Sequence, residues 1–154
     1  IPLRLVGSEM CIRDRCSTMS QGMPLIYSGQ EVGLNKSLRF FSRDTIDWKT
    51  PSQAEFYSKA LALKKSQSSL ANGGWGGNQK RIQTNNKSVY SFSRKKGRNS
   101  VIVFLNFDNK DVQVTDKDVP KGTYTNWFND EDVTIKKTGE IFLAPNSFLV
   151  LTKD

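Results

Sequence analysis

The sequence contains no histidine and only two cysteines. The lack of histidine excludes Ser-His-Asp and Cys-His catalysis within this chain and removes the commonest metal ligand. The cysteines, Cys11 and Cys16, are too far apart for a redox-active C-x-x-C pair, and two thiols alone do not make a zinc site. No apolar run approaches the roughly 18 residues that a membrane-spanning helix requires. The sequence therefore predicts no metal, no cofactor and no membrane partner for this chain.

Basic residues outnumber acidic ones, with 23 Lys and Arg against 15 Asp and Glu and a net charge of +8. A basic chain is a candidate for binding nucleic acid. Here the positive residues are spread along the sequence, and the densest clusters, at residues 94–96 and 136–137, adjoin predicted turns. The pattern favours solvated turns and faces over an anionic partner. We expect no nucleic-acid partner, and a basic nucleic-acid-binding domain stays open as the less favoured alternative.

The first residues differ from the rest. Residues 1–15 begin without methionine, show no clear period, and mix charged residues with a few apolar ones. The stretch from Val6 to Arg15 resembles translated sequencing-adapter read-through, which recurs at the ends of unrelated gene models. We therefore expect residues 1–16 to be an artefactual or disordered leader that takes no part in the fold. The alternative is a genuine loop or strand leading into Cys16.

Residues 17–72 have the pattern of one β/α unit. Gly22–Tyr27 is a short, continuous apolar run, typical of a parallel strand that is buried on both faces. Pro24 should then lie at the start of this strand, because proline cannot donate to a sheet. A loop follows, and a helix is expected over Thr50–Asn72, since a T-x-x-Q capping box opens it and apolar residues recur at helical spacing.

After a glycine-rich joint at residues 73–78, the apolar period changes to two. Turn residues such as Gly, Pro and Asn separate the alternating runs. The runs predict strands at Lys87–Lys95, Val101–Phe107, Val112–Val114, Tyr124–Phe128, Val133–Ile135, Ile141–Leu143 and Phe148–Leu151. Strands this short and this evenly spaced predict an all-β antiparallel Greek-key sandwich over residues 79–154.

One ten-residue segment carries a family resemblance. Residues 22–31 read GMPLIYSGQE and fill every fixed position of a G-x-P-x-x-Y-x-G-x-E signature. The fixed positions are Gly22, Pro24, Tyr27, Gly29 and Glu31. The signature resembles one near the end of the catalytic barrel in the α-amylase family, glycoside hydrolase family 13. The loop around residues 43–48 and the terminal sandwich are similar to the family's segment before the last barrel helix and to its C-terminal β domain.

The resemblance implies the last β/α unit of a TIM (β/α)8 barrel, followed by a C-terminal sandwich. Because such barrels carry their active sites at the C-terminal ends of the strands, the loop after Tyr27 is expected near the substrate cleft. The residues expected at the cleft rim are Gln30, Glu31, Arg43 and Asp44. For Glu31, attachment of the loop to its neighbours is the preferred interpretation, and for Arg43 and Asp44 it is a structural ion pair.

Catalytic groups are not expected in this chain. Retaining glycosidases use two carboxyl groups roughly 5 Å apart. The resemblance implies that the family's nucleophile, acid/base and orienting carboxylates precede the segment represented here, so no residue is assigned a catalytic role. We expect a parent enzyme that binds α-glucans (starch, maltooligosaccharides) through the missing barrel, and no hydrolysis by this fragment alone. Calcium in the parent, hydrolysis against transfer, and oligomeric state stay open, and a secreted or periplasmic location is slightly favoured.

An alternative of another class is a stand-alone polysaccharide-binding sandwich. Its aromatic platforms would be Trp75 and Trp127, because flat aromatic rings stack well on sugars. For Trp75, which lies in the glycine-rich joint, the preferred interpretation is a seal between the barrel unit and the sandwich.

Overall fold

The computed structural model describes residues 16–34, 36–39, 41–48, 53–115, 119–136 and 139–154. The expected leader, apart from its last residue, and the first part of the expected capping box therefore lie outside the described residues. Residues 16–19 are helical, and Ser20 N–H donates to the main-chain oxygen of Cys16 at 2.9 Å. Met19 in this helical turn is fully buried. Cys16 thus belongs to the folded part of the described residues, and the expected boundary of the leader stays a prediction.

The strand expected at Gly22–Tyr27 is not formed. The segment has no regular secondary structure, and no strand among the described residues pairs with it. A parallel strand is defined by hydrogen bonds to its neighbours, and here those neighbours are missing. Alternate side chains are left bare, with Met23 84%, Leu25 82% and Tyr27 62% exposed.

The helix α1 spans Ala54–Ser66, which is shorter than the expected Thr50–Asn72. Gln67 takes an extended conformation, and a 3-10 turn over Ser68–Leu70 follows. The helix ends early because the sandwich supplies other partners: the side-chain oxygen of Asn99 accepts the N–H of Ser69 at 2.9 Å. The side chain of Asn99 also donates to that of Gln67.

The described residues contain eight strands, all paired antiparallel. They are β1 (Gln79–Ile82), β2 (Val89–Lys96), β3 (Asn99–Asn106), β4 (Val112–Val114), β5 (Gly122–Asn126), β6 (Asp132–Ile135), β7 (Ile141–Leu143) and β8 (Phe148–Lys153). One sheet has the order β1-β2-β3-β8-β5-β6, and the second pairs β4 with β7. The prediction of an antiparallel β domain is therefore confirmed.

The long apolar run at Val101–Phe107 falls almost entirely in strand β3. Every residue from Ser100 to Asn106 is buried, because both faces of this central strand are covered. Ile102 and Phe104 join the core between the two sheets. Val101, Val103 and Leu105 point the other way and pack in a second core, together with Leu63 of α1 and Met19.

Strand β1 was missed by the sequence pattern. It reads QKRI, and of its residues only Ile82 is buried. A strand with one apolar side chain has no alternation to detect. Its existence depends on antiparallel pairing with β2, in which Gln79 lies opposite Arg94 and Ile82 opposite Ser91.

Candidate functional site

The signature residues after Tyr27 form a tight turn. Gly29 is buried and has a φ of 97°, and its main-chain oxygen accepts the N–H of Leu34 at 2.9 Å. A Cβ on Gly29 would lie 2.7 Å from the Cδ2 atom of Leu34. Gln30 begins a 3-10 turn and accepts the N–H of Tyr27 through its side chain. The glycine is therefore required by the backbone of the turn.

Glu31 is fastened in the same turn. Its Oε2 atom accepts the N–H of Gly29 at 3.1 Å, and its main-chain oxygen accepts the N–H of Gln53 at 3.1 Å. Gln53 directly precedes α1, so Glu31 links the turn to the start of the helix. A position of Gln30 and Glu31 at the rim of a substrate cleft stays a prediction.

Asp44 closes a second turn. Its carboxylate accepts hydrogen bonds from Lys36 Nζ at 2.6 Å and from the N–H groups of Thr45 at 2.8 Å and Arg39 at 3.2 Å. These bonds, with that of Lys36 the strongest cause, lower the pKa of Asp44 from 3.8 to about 2. Arg43 is exposed. The ion-pair partner of Asp44 is thus Lys36, and the expected pairing with Arg43 is wrong.

The two candidate platform tryptophans lie in different environments. Trp75 ends a 3-10 turn, and 85% of it is exposed. It therefore seals nothing within the part of the chain that the structure describes, contrary to the preferred interpretation. Trp127 is partly buried against the helix-facing core, and its Nε1–H donates to the main-chain oxygen of Lys59 at 3.0 Å. Trp127 is used inside the fold and offers no open platform.

Aromatic rings extend the contact between α1 and the sandwich. Phe56 of α1 stacks on Phe128 with ring centroids 5.7 Å apart, and Phe128 meets Phe148 edge-on at 4.8 Å. Both arrangements are favourable geometries for aromatic pairs. The helix is therefore packed on the sheet by a specific interface and is not merely tethered to it.

Arg94 of β2 lies at the junction of the two halves and was missed by sequence reasoning. Only 1% of it is exposed, and its nitrogens bind main-chain oxygens. The bonds run from Nε to Gly77 (2.9 Å), from Nη1 to Ser20 (3.1 Å), Leu70 (3.2 Å) and Met19 (3.4 Å), and from Nη2 to Ala71 (2.8 Å). One side chain thus ties β2 to residues 19–20, to the turn after α1, and to the joint.

The glycines of the joint allow this close packing. A Cβ on Gly76 would lie 2.0 Å from the oxygen of Ala71, and one on Gly77 would lie 2.3 Å from the oxygen of Lys95. The joint is therefore a packed corner. A sequence signal existed: Arg94 shares a strand face with Tyr90 and Phe92 at alternating positions, where an apolar residue is expected.

The charge of Arg94 affects its surroundings. Burial lowers the pKa of Arg94 below its usual value. Burial, followed by the charge of Arg94, also lowers the pKa of Lys64, which donates to the main-chain oxygens of Ser20 and Leu70 at 3.4 Å. Two cations therefore converge on the same carbonyl oxygens. Such oxygens at helix and turn ends carry partial negative charge, which offsets the burial.

The described residues offer neither a metal site nor a membrane-spanning helix. They contain no group of three His, Cys, Asp or Glu side chains that could hold a metal ion. None of their helices is long and apolar enough to cross a bilayer. Calcium in a parent protein stays a prediction.

Solved structures resemble most of the chain. The α-amylase of Anoxybacillus matches with 17% identity over 95% of this chain and 32% of its own, with a TM-score of 0.80. The maltogenic α-amylase AmyB of Thermotoga neapolitana matches with 20% identity over 94% and 36%, with a TM-score of 0.78. The α-amylase of Geobacillus thermoleovorans, solved with acarbose, matches with 16% identity over 96% and 33%, with a TM-score of 0.76. At these identities the likeness shows the fold alone.

The β domain also matches by sequence. This chain spans about a third of the length of the first two of these amylases. No curated protein sequence matches it. Residues 81–153 match the family model of the α-amylase C-terminal all-β domain. This match assigns residues 81–153 to the family of α-amylase C-terminal all-β domains, and the structural likeness shows the same fold over most of the chain.

Proposed function

We propose that residues 17–72 are the last β/α unit of the catalytic barrel of an α-amylase-type glycoside hydrolase. In this proposal the sandwich is the C-terminal domain, and the whole enzyme cleaves α-glucans such as starch and maltooligosaccharides with retention. The 154-residue chain supports the barrel and does not cleave bonds by itself. The proteins with similar structures include α-amylases and maltogenic amylases, which supports an α-glucan substrate.

The observation that carries the proposal is the junction at Arg94. Its guanidinium binds main-chain oxygens of Ser20, Leu70 and Ala71, all of which precede the sandwich. A sandwich that worked alone would lose these hydrogen bonds and would expose the apolar residues Val101, Val103 and Leu105, which pack with Leu63 of α1 and Met19. The segment before the joint and the sandwich are therefore parts of one packed unit, as a barrel end and its C-terminal domain would be.

The bare side chains of residues 23–27 provide further support. Met23 and Leu25 are 84% and 82% exposed, which is unusual for large apolar residues that follow one another along a segment. Neighbouring barrel strands would cover them and would pair with the backbone of this segment. The turn from Gly29 to Glu31 would then emerge at the cleft.

The test is to recover the reading frame upstream of Cys16 and to express both proteins. The extended protein should release reducing sugar from starch, and the 154-residue chain should release none. Replacing the candidate nucleophile encoded upstream by asparagine should abolish the activity of the extended protein. Hydrolysis by the short chain alone, or an upstream frame without barrel carboxylates, would contradict the proposal.

The polysaccharide-binding module remains the second candidate, and one observation favours it. Trp75 presents an open aromatic face, being 85% exposed. Trp127 does not extend this aromatic face, since its indole is hydrogen-bonded to α1. Retention on a starch column that is lost in Trp75→Ala would distinguish this candidate from the enzyme fragment.

A further inference from the structure

A groove of about 690 Å³ lies at one end of the sandwich. Ser100 and Lys153 line it. Ser100 is two residues from Ile102 along β3, and Lys153 is two residues from Leu151 along β8. Both Ile102 and Leu151 belong to the core that faces the small sheet. Since alternate residues of a strand share a face, the groove lies on the inner face of the large sheet, beyond the core that β4 and β7 cover.

The groove is strongly basic. None of its described lining residues is acidic, although Asp116 and Asp118 of the sequence lie outside the described residues. The five cations that line it are Lys80, Lys95, Arg98, Lys121 and Lys153. The ion pairs among the described residues, Lys36 with Asp44 and Lys59 with Glu55, involve none of the five. No acidic side chain of the described residues therefore neutralises them.

Strand register arranges part of this charge. Lys95 lies opposite Ser100 in the β2–β3 pair, and Ser100 lies opposite Lys153 in the β3–β8 pair. Neighbouring strands are about 4.8 Å apart, so the two lysines flank the serine at a separation of roughly 10 Å. The two lysines could therefore bind two anionic groups on successive units of a polymeric ligand, or one large anionic group.

The floor of the groove offers hydroxyl groups. Ser100 is only 8% exposed, Ser93 is half-buried, and both line the groove. A serine hydroxyl can both donate and accept a hydrogen bond, so these two are suited to a ligand's own hydroxyls. Tyr124 completes the floor, and its hydroxyl donates to the main-chain oxygen of Pro120 at 3.1 Å.

We propose that this groove binds an anionic oligosaccharide, a sugar chain that carries phosphate or carboxylate groups. The cations would hold the anionic groups, and Ser93 and Ser100 would bind sugar hydroxyls. A neutral α-glucan would gain nothing from five positive charges, so the inference goes beyond the proposed function. Single-stranded nucleic acid is disfavoured because its sites present exposed aromatic rings for base stacking, whereas Tyr124 is only 5% exposed.

The test is a titration of the purified chain, extended upstream where solubility requires it. The probes are a phosphorylated maltooligosaccharide, an oligogalacturonate and a neutral maltooligosaccharide. Both charged probes should bind, more weakly as salt is added, and the neutral one should not. The double variant Lys95→Gln/Lys153→Gln should bind at least about tenfold more weakly, because each charge-assisted contact is worth about that much.

The matched control is Lys110→Gln/Lys136→Gln, which removes the same charge from exposed sites outside the groove. This control should bind the charged probes as tightly as the unchanged chain does. Ser100→Ala should weaken binding several-fold while its circular dichroism spectrum, and so its secondary structure, stays the same. Equal weakening in the control pair would overturn the inference. So would inorganic phosphate or a single-stranded oligonucleotide that binds as tightly as the charged sugars, or no binding of any probe.

The groove and the proposed enzyme can be rejected independently of each other. Binding of both charged probes, without starch hydrolysis by the extended protein, would support the groove and reject the proposed enzyme. Starch hydrolysis by the extended protein, without binding of either charged probe, would support the enzyme and reject the groove.

Discussion

Trp127 of the sandwich and Lys59 of α1 join the two parts of the fold through a reciprocal pair of hydrogen bonds. Trp127 Nε1–H donates to the main-chain oxygen of Lys59 at 3.0 Å, and Lys59 Nζ donates to the main-chain oxygen of Phe128 at 3.3 Å. Lys59 also pairs with Glu55 one helical turn earlier, at 3.2 Å. This reciprocal pair of hydrogen bonds fixes the orientation of the helix on the sandwich.

The first prediction concerns starch retention. If the chain is an enzyme fragment, it should elute from a starch column with the buffer front, and Trp75→Ala should elute at the same volume. Trp127→Phe is the control for a buried indole and should also elute there. Retention of the unchanged chain that is lost in Trp75→Ala but kept in Trp127→Phe would favour the binding module instead.

The second prediction concerns Arg94. Changing Arg94 to Met should lower the free energy of unfolding by at least about 3 kcal/mol, because several buried carbonyl oxygens lose their donor and each costs about 1–3 kcal/mol. Urea unfolding followed by tryptophan fluorescence measures the change. Arg94→Lys should recover only part of the loss, since an ammonium cannot reproduce the fork of the guanidinium.

The control for Arg94 is Arg98→Met, at an exposed position of the β2–β3 turn. Its free energy of unfolding should stay within about 0.5 kcal/mol of that of the unchanged chain. Equal stability of the Arg94→Met and Arg98→Met variants would mean that the junction does not hold the two halves together.

The third prediction concerns the glycine of the signature. Gly29→Ala should lower the free energy of unfolding by more than about 1 kcal/mol, because the residue has a φ of 97° and its Cβ would contact Leu34 at 2.7 Å. The comparison is Gly74→Ala, where nothing lies within 4 Å of the added atom. Thermal unfolding of the two variants should separate them, and identical melting temperatures would count against the turn geometry.

The fourth prediction is a pH dependence. The folded-state pKa of Asp44 lies at about 2, below its ordinary 3.8. The Asp44 carboxylate therefore stabilises the fold fully above pH 3.8, and this contribution is lost as the pH falls from 3.8 towards 2. NMR titration of the Asp44 carboxyl carbon should give this low pKa, and Lys36→Met should raise it. A pKa of 3.8 in the unchanged chain would refute the assigned hydrogen bonds.

Sequence reasoning located features that depend on local patterning. Strand β2 was expected from alternating apolar residues, and β3 from a long apolar run. The turn glycine of the signature was recognised as a backbone requirement, and it has a positive φ. In each case a few neighbouring residues carry the whole signal, because period and backbone sterics act over short distances.

Other features required partners that are distant in the sequence. The polar strand β1 exists only because β2 lies beside it, and α1 ends at Ser66 where Asn99 of the sandwich binds the following residues. The segment at Gly22–Tyr27 has the sequence of a buried strand but lacks the neighbours that would make it one. Secondary structure at these places is decided by tertiary hydrogen bonds.

The sequence alone thus determined the antiparallel β domain, the family signature and the absence of histidine chemistry, since each depends on residue type and spacing. Only the tertiary structure decided that Arg94 is a buried junction, that Trp127 is occupied by α1, and that five cations share one groove. The reason is physical: packing and electrostatics depend on distances between residues from separate strands, and strand register sets those distances.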